Sequence, residues 1–327
     1  RRRDEHEATP QSRMGRSQQI DQEPKEPHDL GVAIQRGIEE AAESGHPSVG
    51  AGNVLRDVID GDLAHVTRLD TIFRQERDSY IVVNAHRVNQ GEDPFMDNSS
   101  SDFYFFGADD PAKAAELVVD VVQNRLPAKF GVDPIRDVQV IAPMYRGPAG
   151  VDALNLMLQK ALNGDARRAE KLFGGKLFRA GDKVMQIRNN YDKEVFNGDI
   201  GRIYGIDFED GFIQVMMDDG MMVDYEWSEF DQLRHAYCIS THRSQGSEYP
   251  VVVIPILTQH YMMLQRNLLY TAITRAKKLV VLVGSRRAVG IAVKNNKVAE
   301  RYSGLLARLR NMQPAPDDED NEEDEPF

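Results

Sequence analysis

Residues 237–257 read YCISTHRSQGSEYPVVVIPIL, and residues 264–284, after a short polar break, read LQRNLLYTAITRAKKLVVLVG. Tyr237, Cys238 and Ile239 open a strand that runs into the polar cluster Ser240 to Glu248, and an apolar run from Val251 to Leu257 follows. A run of that kind suits a strand buried on both faces of a parallel sheet. From Leu264 the spacing becomes helical, with Leu264, Leu268 and Ala272 on one face and Arg266, Thr274 and Lys277 elsewhere. A second apolar strand, Leu279 to Val283, closes the stretch. Open α/β sheets place their ligands where polar turns meet the strands, so the polar cluster and the end of the predicted helix are the first places to look for chemistry.

Outward from this stretch the same unit repeats. Asp110 and Pro111 predict the start of a helix running to about Leu126, with Leu117, Val118, Val121 and Val122 on its buried side. A strand from Val138 to Ala142 follows, and Pro148 is expected to begin another helix on which Val151, Leu154 and Leu158 align. Residues 176–230 differ. The short strands KVMQIRNN, IGRIYGIDFE, FIQVMMD and MMVDYEW are separated by Asn197-Gly198, Asp210-Gly211 and Asp219-Gly220, which are hairpin signals. The fold expected is therefore α/β: a doubly wound parallel sheet interrupted by a small antiparallel barrel of SH3-like size.

The two opening blocks resemble motifs V and VI of superfamily-one DNA helicases of the RecD-like branch, which carry T-H-x-S-Q-G-x-E and Y-T-A-x-T-R-A. The resemblance implies a RecA-like second motor domain (2A) and an SH3-like insertion (2B). It implies that Gly246 and Glu248 lie near the nucleotide sugar, that Thr241, His242 and Ser244 face single-stranded DNA, and that Arg275 reaches the γ-phosphate. Chemistry asks for such a residue independently: a guanidinium on the transferring phosphoryl group is worth about 10³-fold or more in rate, and its planar, permanent charge does this better than Lys. The alternative for Arg275 is a solvated charge at a helix C-terminus beside Lys277 and Lys278.

Three further segments carry the resemblance. In VTRLDTIFRQERDSY, Arg74 corresponds to a second γ-phosphate ligand and Gln75 to a nucleotide contact of motif IV, although Arg74 has Glu76 and Asp78 close by as ordinary ion-pair partners. Tyr145 and Arg146 follow the strand ending at Ala142 and resemble motif IVa, where a ring and a guanidinium track a DNA strand; a turn-packing Tyr and a solvated Arg are the alternative. GDKVMQIRNNYDKEVFNGDIGRI resembles the start of the SH3-like insertion, and Asn189, with Arg188, Asn190, Tyr191, Phe196 and Asn197, is a candidate DNA-guiding surface. A Phe196 that packs a hinge is the competing reading.

The expected organisation is a poorly ordered segment 1–44, a discontinuous 2A domain over 45–175 and 231–312, the 2B insertion at 176–230 and an acidic disordered tail at 313–327. The net charge of −12 is uneven: Asp317 to Glu325 hold eight acids, and without them 44 acids face 40 bases. A helicase needs a basic groove, not a basic average. One cysteine, Cys238, argues against a disulfide framework and for the cytoplasm. No apolar stretch reaches the roughly 20 residues of a membrane span.

No G-x-x-x-x-G-K-[ST] pattern occurs; Gly174-Gly175-Lys176 is followed by Leu177. The resemblance therefore implies that ATP and Mg²⁺ depend on an N-terminal RecA-like domain upstream, and that this chain is the C-terminal portion of an ATP-dependent 5′–3′ helicase of recombination or repair. Its partners are then single-stranded DNA and that N-terminal domain, with a nuclease or repair partner left unnamed and no metal ligand set of its own. Two other readings stay open: a single-stranded DNA-binding fragment that does not hydrolyse ATP, and the helicase part of a conjugative relaxase.

Overall fold

The structure is a computed structural model and describes residues 54–61, 79–296 and 305–310. The expectations for residues 1–44 and 313–327, and the whole of the Phe73-Arg74-Gln75 segment, lie outside the described residues.

The chain opens with helices α1 (Val54–Asp60) and α2 (Tyr80–Gln90), strand β1 (Phe103–Gly107) and helix α3 (Pro111–Asp120). A π turn at Val121–Arg125 carries α3 into α4 (Leu126–Phe130), and β2 (Val138–Ala142) and α5 (Val151–Leu162) follow. An antiparallel excursion then holds β3 (Glu170–Phe173), β4 (Lys176–Arg179), β5 (Lys183–Gln186), β6 (Ile200–Asp207), β7 (Phe212–Met217), β8 (Met222–Glu226) and β9 (Leu233–His235). The chain returns through β10 (Cys238–Ser240), β11 (Tyr249–Ile256), α6 (Arg266–Thr274), β12 (Ala276–Gly284), α7 (Arg286–Lys294) and α8 (Leu305–Arg310).

β1, β12, β11, β2 and β10 form one sheet in that order, every pair parallel. The alternation of side chains along a strand sends successive residues to opposite faces, both covered by helices, so the central strands are almost wholly apolar; the exception in β2, Gln139, bonds the Ala236 carbonyl at 3.0 Å. Val252, Ile254, Val280 and Leu282 pack with Ile81, Ala85 and Val88 of α2, Leu269 and Ile273 of α6 and Val289 of α7. Val251, Val253, Leu279 and Val281 point the other way, onto Ala114 and Val118 of α3 and Leu154 and Leu158 of α5. This is the doubly wound α/β sheet expected from the two opening blocks. Asp110 caps α3 by accepting from the Lys113 amide at 2.9 Å, which offsets one of the unpaired donors of the first turn.

α5 starts at Val151 and not at Pro148. A Cβ at Gly150 would stand 2.5 Å from the carbonyl oxygens of both Tyr145 and Arg146, so the chain folds back on Gly150 before it can enter a helix. Similarly, Leu264 is buried in the turn before α6 and the helix begins two residues later.

The excursion forms the expected small SH3-like unit: a five-stranded antiparallel sheet ordered β8, β7, β6, β5, β9, preceded by the β3–β4 hairpin. Phe178, Ile203, Ile213, Val215, Tyr225 and Phe230 fill its core. α5 ends and β10 begins at the same edge of the parallel sheet, the amino ends of its strands, and the barrel hangs from there.

A buried carboxylate fixes that attachment. Asp182 accepts from Gln159 of α5 at 2.6 Å and from Asn163, just past its end, at 2.7 Å, from the Tyr237 hydroxyl at 2.9 Å and from the Arg179 amide at 2.7 Å, with His235 Nε2 at 3.3 Å. Burial by itself would raise its pKa, but the hydrogen bonds from His235 and Asn163 outweigh it and hold the carboxyl below the usual carboxylate range. Beside it Lys183 sends Nζ to the Val138 carbonyl at 3.1 Å, and desolvation brings this amine down to about 8.

Candidate functional site

β10 stops at Ser240, at the carboxyl ends of the parallel strands, and a 3₁₀ turn from Thr241 to Ser244 follows. The turn is closed by its own hydroxyls: Ser240 Oγ accepts from the Arg243 amide at 3.4 Å and Ser244 Oγ donates to the Thr241 carbonyl at 2.7 Å. Thr241 and Ser244 are buried, so of the three candidate strand-facing residues His242 alone presents an exposed side chain. Tyr145, in the loop after β2, comes to the same place. Its hydroxyl lies 3.4 Å from Ser240 Oγ and accepts from Arg243 Nε at 3.0 Å. Arg146 is exposed beside it.

Because β10, β2 and β11 are all parallel, residues 245–248 must travel back from the carboxyl ends of the strands to the amino end of β11. Gly246 makes the bend at φ +81°, with open space where a Cβ would stand; this left-handed backbone favours glycine. The return segment meets the end of α6. Arg275 is 6% exposed, and its guanidinium donates to the Ser247 carbonyl at 3.2 Å, to the Thr271 carbonyl at 3.2 Å and to Thr274 Oγ1 at 3.3 Å. Its own carbonyl accepts from the Tyr249 amide at 2.9 Å. Glu248 pairs with Lys277 at 3.4 Å. Arg275 is thus a seated, desolvated charge, not a solvated helix end. Next to it, burial pushes the Tyr249 phenol up to about 12.

The sequence blocks therefore converge into two neighbouring groups. Gly246, Glu248 and Arg275 meet at the amino edge, and Thr241, His242, Ser244, Tyr145 and Arg146 gather at the carboxyl edge. Asn189 joins neither by any hydrogen bond it makes. It belongs to the barrel, where its side chain bonds the Tyr191 hydroxyl at 3.2 Å and the Asn197 amide at 2.9 Å. Phe196 in that loop is 47% exposed and sits edge-on to Tyr191, with ring centroids 6.0 Å apart. Arg74 and Gln75 fall outside the described residues.

Sequence reading passed over Arg243 and Lys277. Both stand inside the decisive blocks, and their only signal was a basic residue next to a residue already singled out. Asp182 gave no signal, because its partners come from three separate segments. Among the described residues no group of three or more His, Cys, Asp or Glu is placed to hold a metal ion, and no helix is long and apolar enough to cross a membrane.

Two family models match: the UvrD-like helicase C-terminal domain over residues 235–283, and the ATP-dependent RecD-like DNA helicase SH3 domain over residues 154–217. The chain is similar to an ATP-dependent RecD2 DNA helicase of Deinococcus radiodurans, at 33% identity over 81% of this chain and 34% of the relative. It is also similar to a RecBCD enzyme subunit RecD of Mycobacterium tuberculosis, at 28% identity over 81% of this chain and 47% of the relative. The chain thus spans less than half the length of either. Among solved structures, a Pif1 helicase from Bacteroides in complex with ADP-AlF3 and ssDNA aligns with a TM-score of 0.43 and 15% identity, over 77% of this chain and 67% of that one. A RecD-like SH3 domain followed by a UvrD-like helicase C-terminal domain, together with the RecD2 and RecD relatives, supports a RecD-like helicase, C-terminal portion.

Proposed function

We propose that this chain is the C-terminal motor half of an ATP-dependent helicase that travels 5′ to 3′ on single-stranded DNA in cytoplasmic recombination or repair. The observation that carries the reading is the seat of Arg275. A guanidinium fixed in direction by the Thr271 and Ser247 carbonyls is oriented ahead of any ligand. Gly246 and Glu248 stand on the same return segment, where they suit the sugar of a nucleotide.

Arg275, Gly246 and Glu248 fit one side of a nucleoside triphosphate, not a whole site. The lysine-and-hydroxyl loop that cradles phosphates and binds Mg²⁺ belongs, in this reading, to an N-terminal RecA-like domain. Bound ATP supplies the free energy that closes the two domains on each other. Within this chain, Arg275 neutralises charge on the γ-phosphate, and Arg74 and Gln75 are proposed to contact the same nucleotide. Any shift of Arg275 moves the Ser247 carbonyl with it, and the return segment carries that movement to the Thr241–Ser244 turn. There His242, Tyr145 and Arg146 hold the strand, with Thr241 and Ser244 setting the backbone of the turn; Asn189 guides DNA on the barrel.

The test is DNA-stimulated ATP hydrolysis by this chain, with single-strand binding recorded on the same sample at several salt concentrations. Salt-sensitive binding without hydrolysis is expected. Hydrolysis that survives purification and disappears in Arg74→Ala would mean that the chain builds a complete nucleotide site, and the half-motor reading would fall.

A further inference from the structure

The carboxyl edge of the parallel sheet carries an exposed surface that none of the residues assigned above explains. β11 runs into a 3₁₀ turn, Thr258–Met263. His260 in this turn is fully buried and pins it: its amide donates to the Leu257 carbonyl at 2.9 Å, and its Nδ1 accepts from the Leu257 amide at 3.3 Å. With the imidazole turned inward, the next two side chains are thrown outward, and Tyr261 and Met262 are 68% and 63% exposed. Large apolar side chains presented together in this way mark a contact surface more often than an accident of packing.

The turn is tied to the neighbouring loops. The Gln259 amide lies 3.5 Å from where a Cβ of Gly147 would stand, and Pro143, Thr241, Met263 and Gln265 line one small cavity. Tyr261 and Met262 therefore share an edge with Tyr145, which is itself 38% exposed. A second observation comes from Arg243. Its Nε is taken by Tyr145, but its Nη1 is buried with no hydrogen-bond partner, and no carboxylate pairs with it among the described residues. A guanidinium does not lose its proton, so Arg243 keeps a positive charge on this edge.

We propose that Tyr261 and Met262 form a base-stacking shelf for single-stranded nucleic acid, and that Arg243 holds a phosphate of the same strand. The inference rests on the single-strand reading of this edge and extends it to Tyr261 and Met262, outside both sequence blocks, and to Arg243, inside the first. The ring and the thioether offer flat apolar contact to any base, and a phosphodiester is an anion suited to the charge of Arg243, whose side chain is only partly buried. Two exposed tyrosines with cationic Arg243 and Arg146 nearby favour a polymer that alternates flat apolar groups with negative charges over an acidic peptide.

The probe is a fluorescent oligothymidylate, compared with an abasic strand of the same length and charge, titrated against the full chain at several salt concentrations. The wild type should bind the thymidylate about tenfold or more tightly than the abasic strand, the worth of one stacked base. The double substitution Tyr261→Ala with Met262→Ala should erase that preference and keep abasic binding, while Tyr261→Phe restores most of it. Arg243→Ala should keep the preference and lower the slope of log affinity against log salt by roughly 0.7, the share of one phosphate contact on a single strand; Arg243→Lys should retain the slope. Equal binding of both strands by the wild type, or a preference untouched by the double substitution, overturns the shelf while leaving single-strand binding standing; the face would then be one for a protein. Absence of all strand binding overturns the proposed function, and the shelf with it.

Discussion

The Tyr237 hydroxyl donates to Asp182 across 2.9 Å, so the residue that leads into the decisive polar cluster is tied to the barrel inserted before it. Asp182 is fully buried and collects donors from α5 and its end, from the barrel and from Tyr237 just before β10. Replacing it by Ala would leave Gln159, Asn163 and Tyr237 without their acceptor. At about 1 to 3 kcal/mol for each buried group left unmade, Asp182→Ala should cost about 3 kcal/mol or more. A fall of roughly 6 to 12 °C in the thermal midpoint would register this, and an unchanged midpoint would show that the junction carries no stability.

Arg275→Ala, made in a complete enzyme that includes an N-terminal motor domain, should lower DNA-stimulated ATP hydrolysis by about 10³-fold and leave single-strand binding nearly intact. Since Arg275 is buried and holds the Ser247 carbonyl, Arg275→Lys is the control for packing. It keeps the charge but not the fork, and should also fail to restore full hydrolysis. Hydrolysis retained in both variants would reduce Arg275 to a structural brace.

His260 makes the Thr258–Met263 turn sensitive to acid. Burial pushes its imidazole down to about 4, below the roughly 6.5 of an unfolded chain. The unfolded state therefore binds a proton that the folded state refuses, so the stabilisation is full above about pH 6.5 and is lost as pH falls towards 4. Amide exchange at Leu257 and His260, measured between pH 7 and 4.5 and corrected for intrinsic rate, should show protection falling over that window. Constant protection would mean that the ring does not pin the turn.

Gly246→Ala separates conformational strain from steric conflict. Its φ of +81° disfavours any side chain, yet nothing occupies the space where a Cβ would go. The substitution should cost about 1 kcal/mol from backbone strain and leave a folded chain, as chemical denaturation would report. A loss of several kcal/mol would mean that the return segment is packed more tightly than its geometry indicates.

The parallel sheet was legible because Val251–Leu257 and Leu279–Val283 are short, Val- and Ile-rich apolar runs of the length and composition of strands covered on both faces. The barrel was legible in its short strands and Asp-Gly turns. Pro148 misled because a proline that suits a helix start also suits the turn before one, and it is the close approach of two carbonyls to Gly150 that decides the matter. Arg275 was legible through its block, while its seat on the Ser247 carbonyl depends on a parallel crossover that spacing does not reveal. Thr241 and Ser244 were read as facing single-stranded DNA; both are buried, and the Ser244 hydroxyl closes the turn on the Thr241 carbonyl, a use that polar residue types share with ligand binding. Tyr261 and Met262 went unnoticed because their exposure follows from the inward turn of His260 and not from any periodicity.

The insertion of the barrel also bears on how the chain reaches this fold. Val140 and Cys238 pair side by side in the parallel sheet, yet the whole antiparallel unit lies between them. Closing so long a loop on its own is entropically unfavourable, and pairings this distant in sequence are slow to form. The barrel's pairings join successive strands, apart from β9, which returns to β5, and once made they draw the end of α5 and the start of β10 together. Assembly in that order would convert a distant encounter into a local one, so the module that interrupts the motor domain would also act as the scaffold on which its last strands are added.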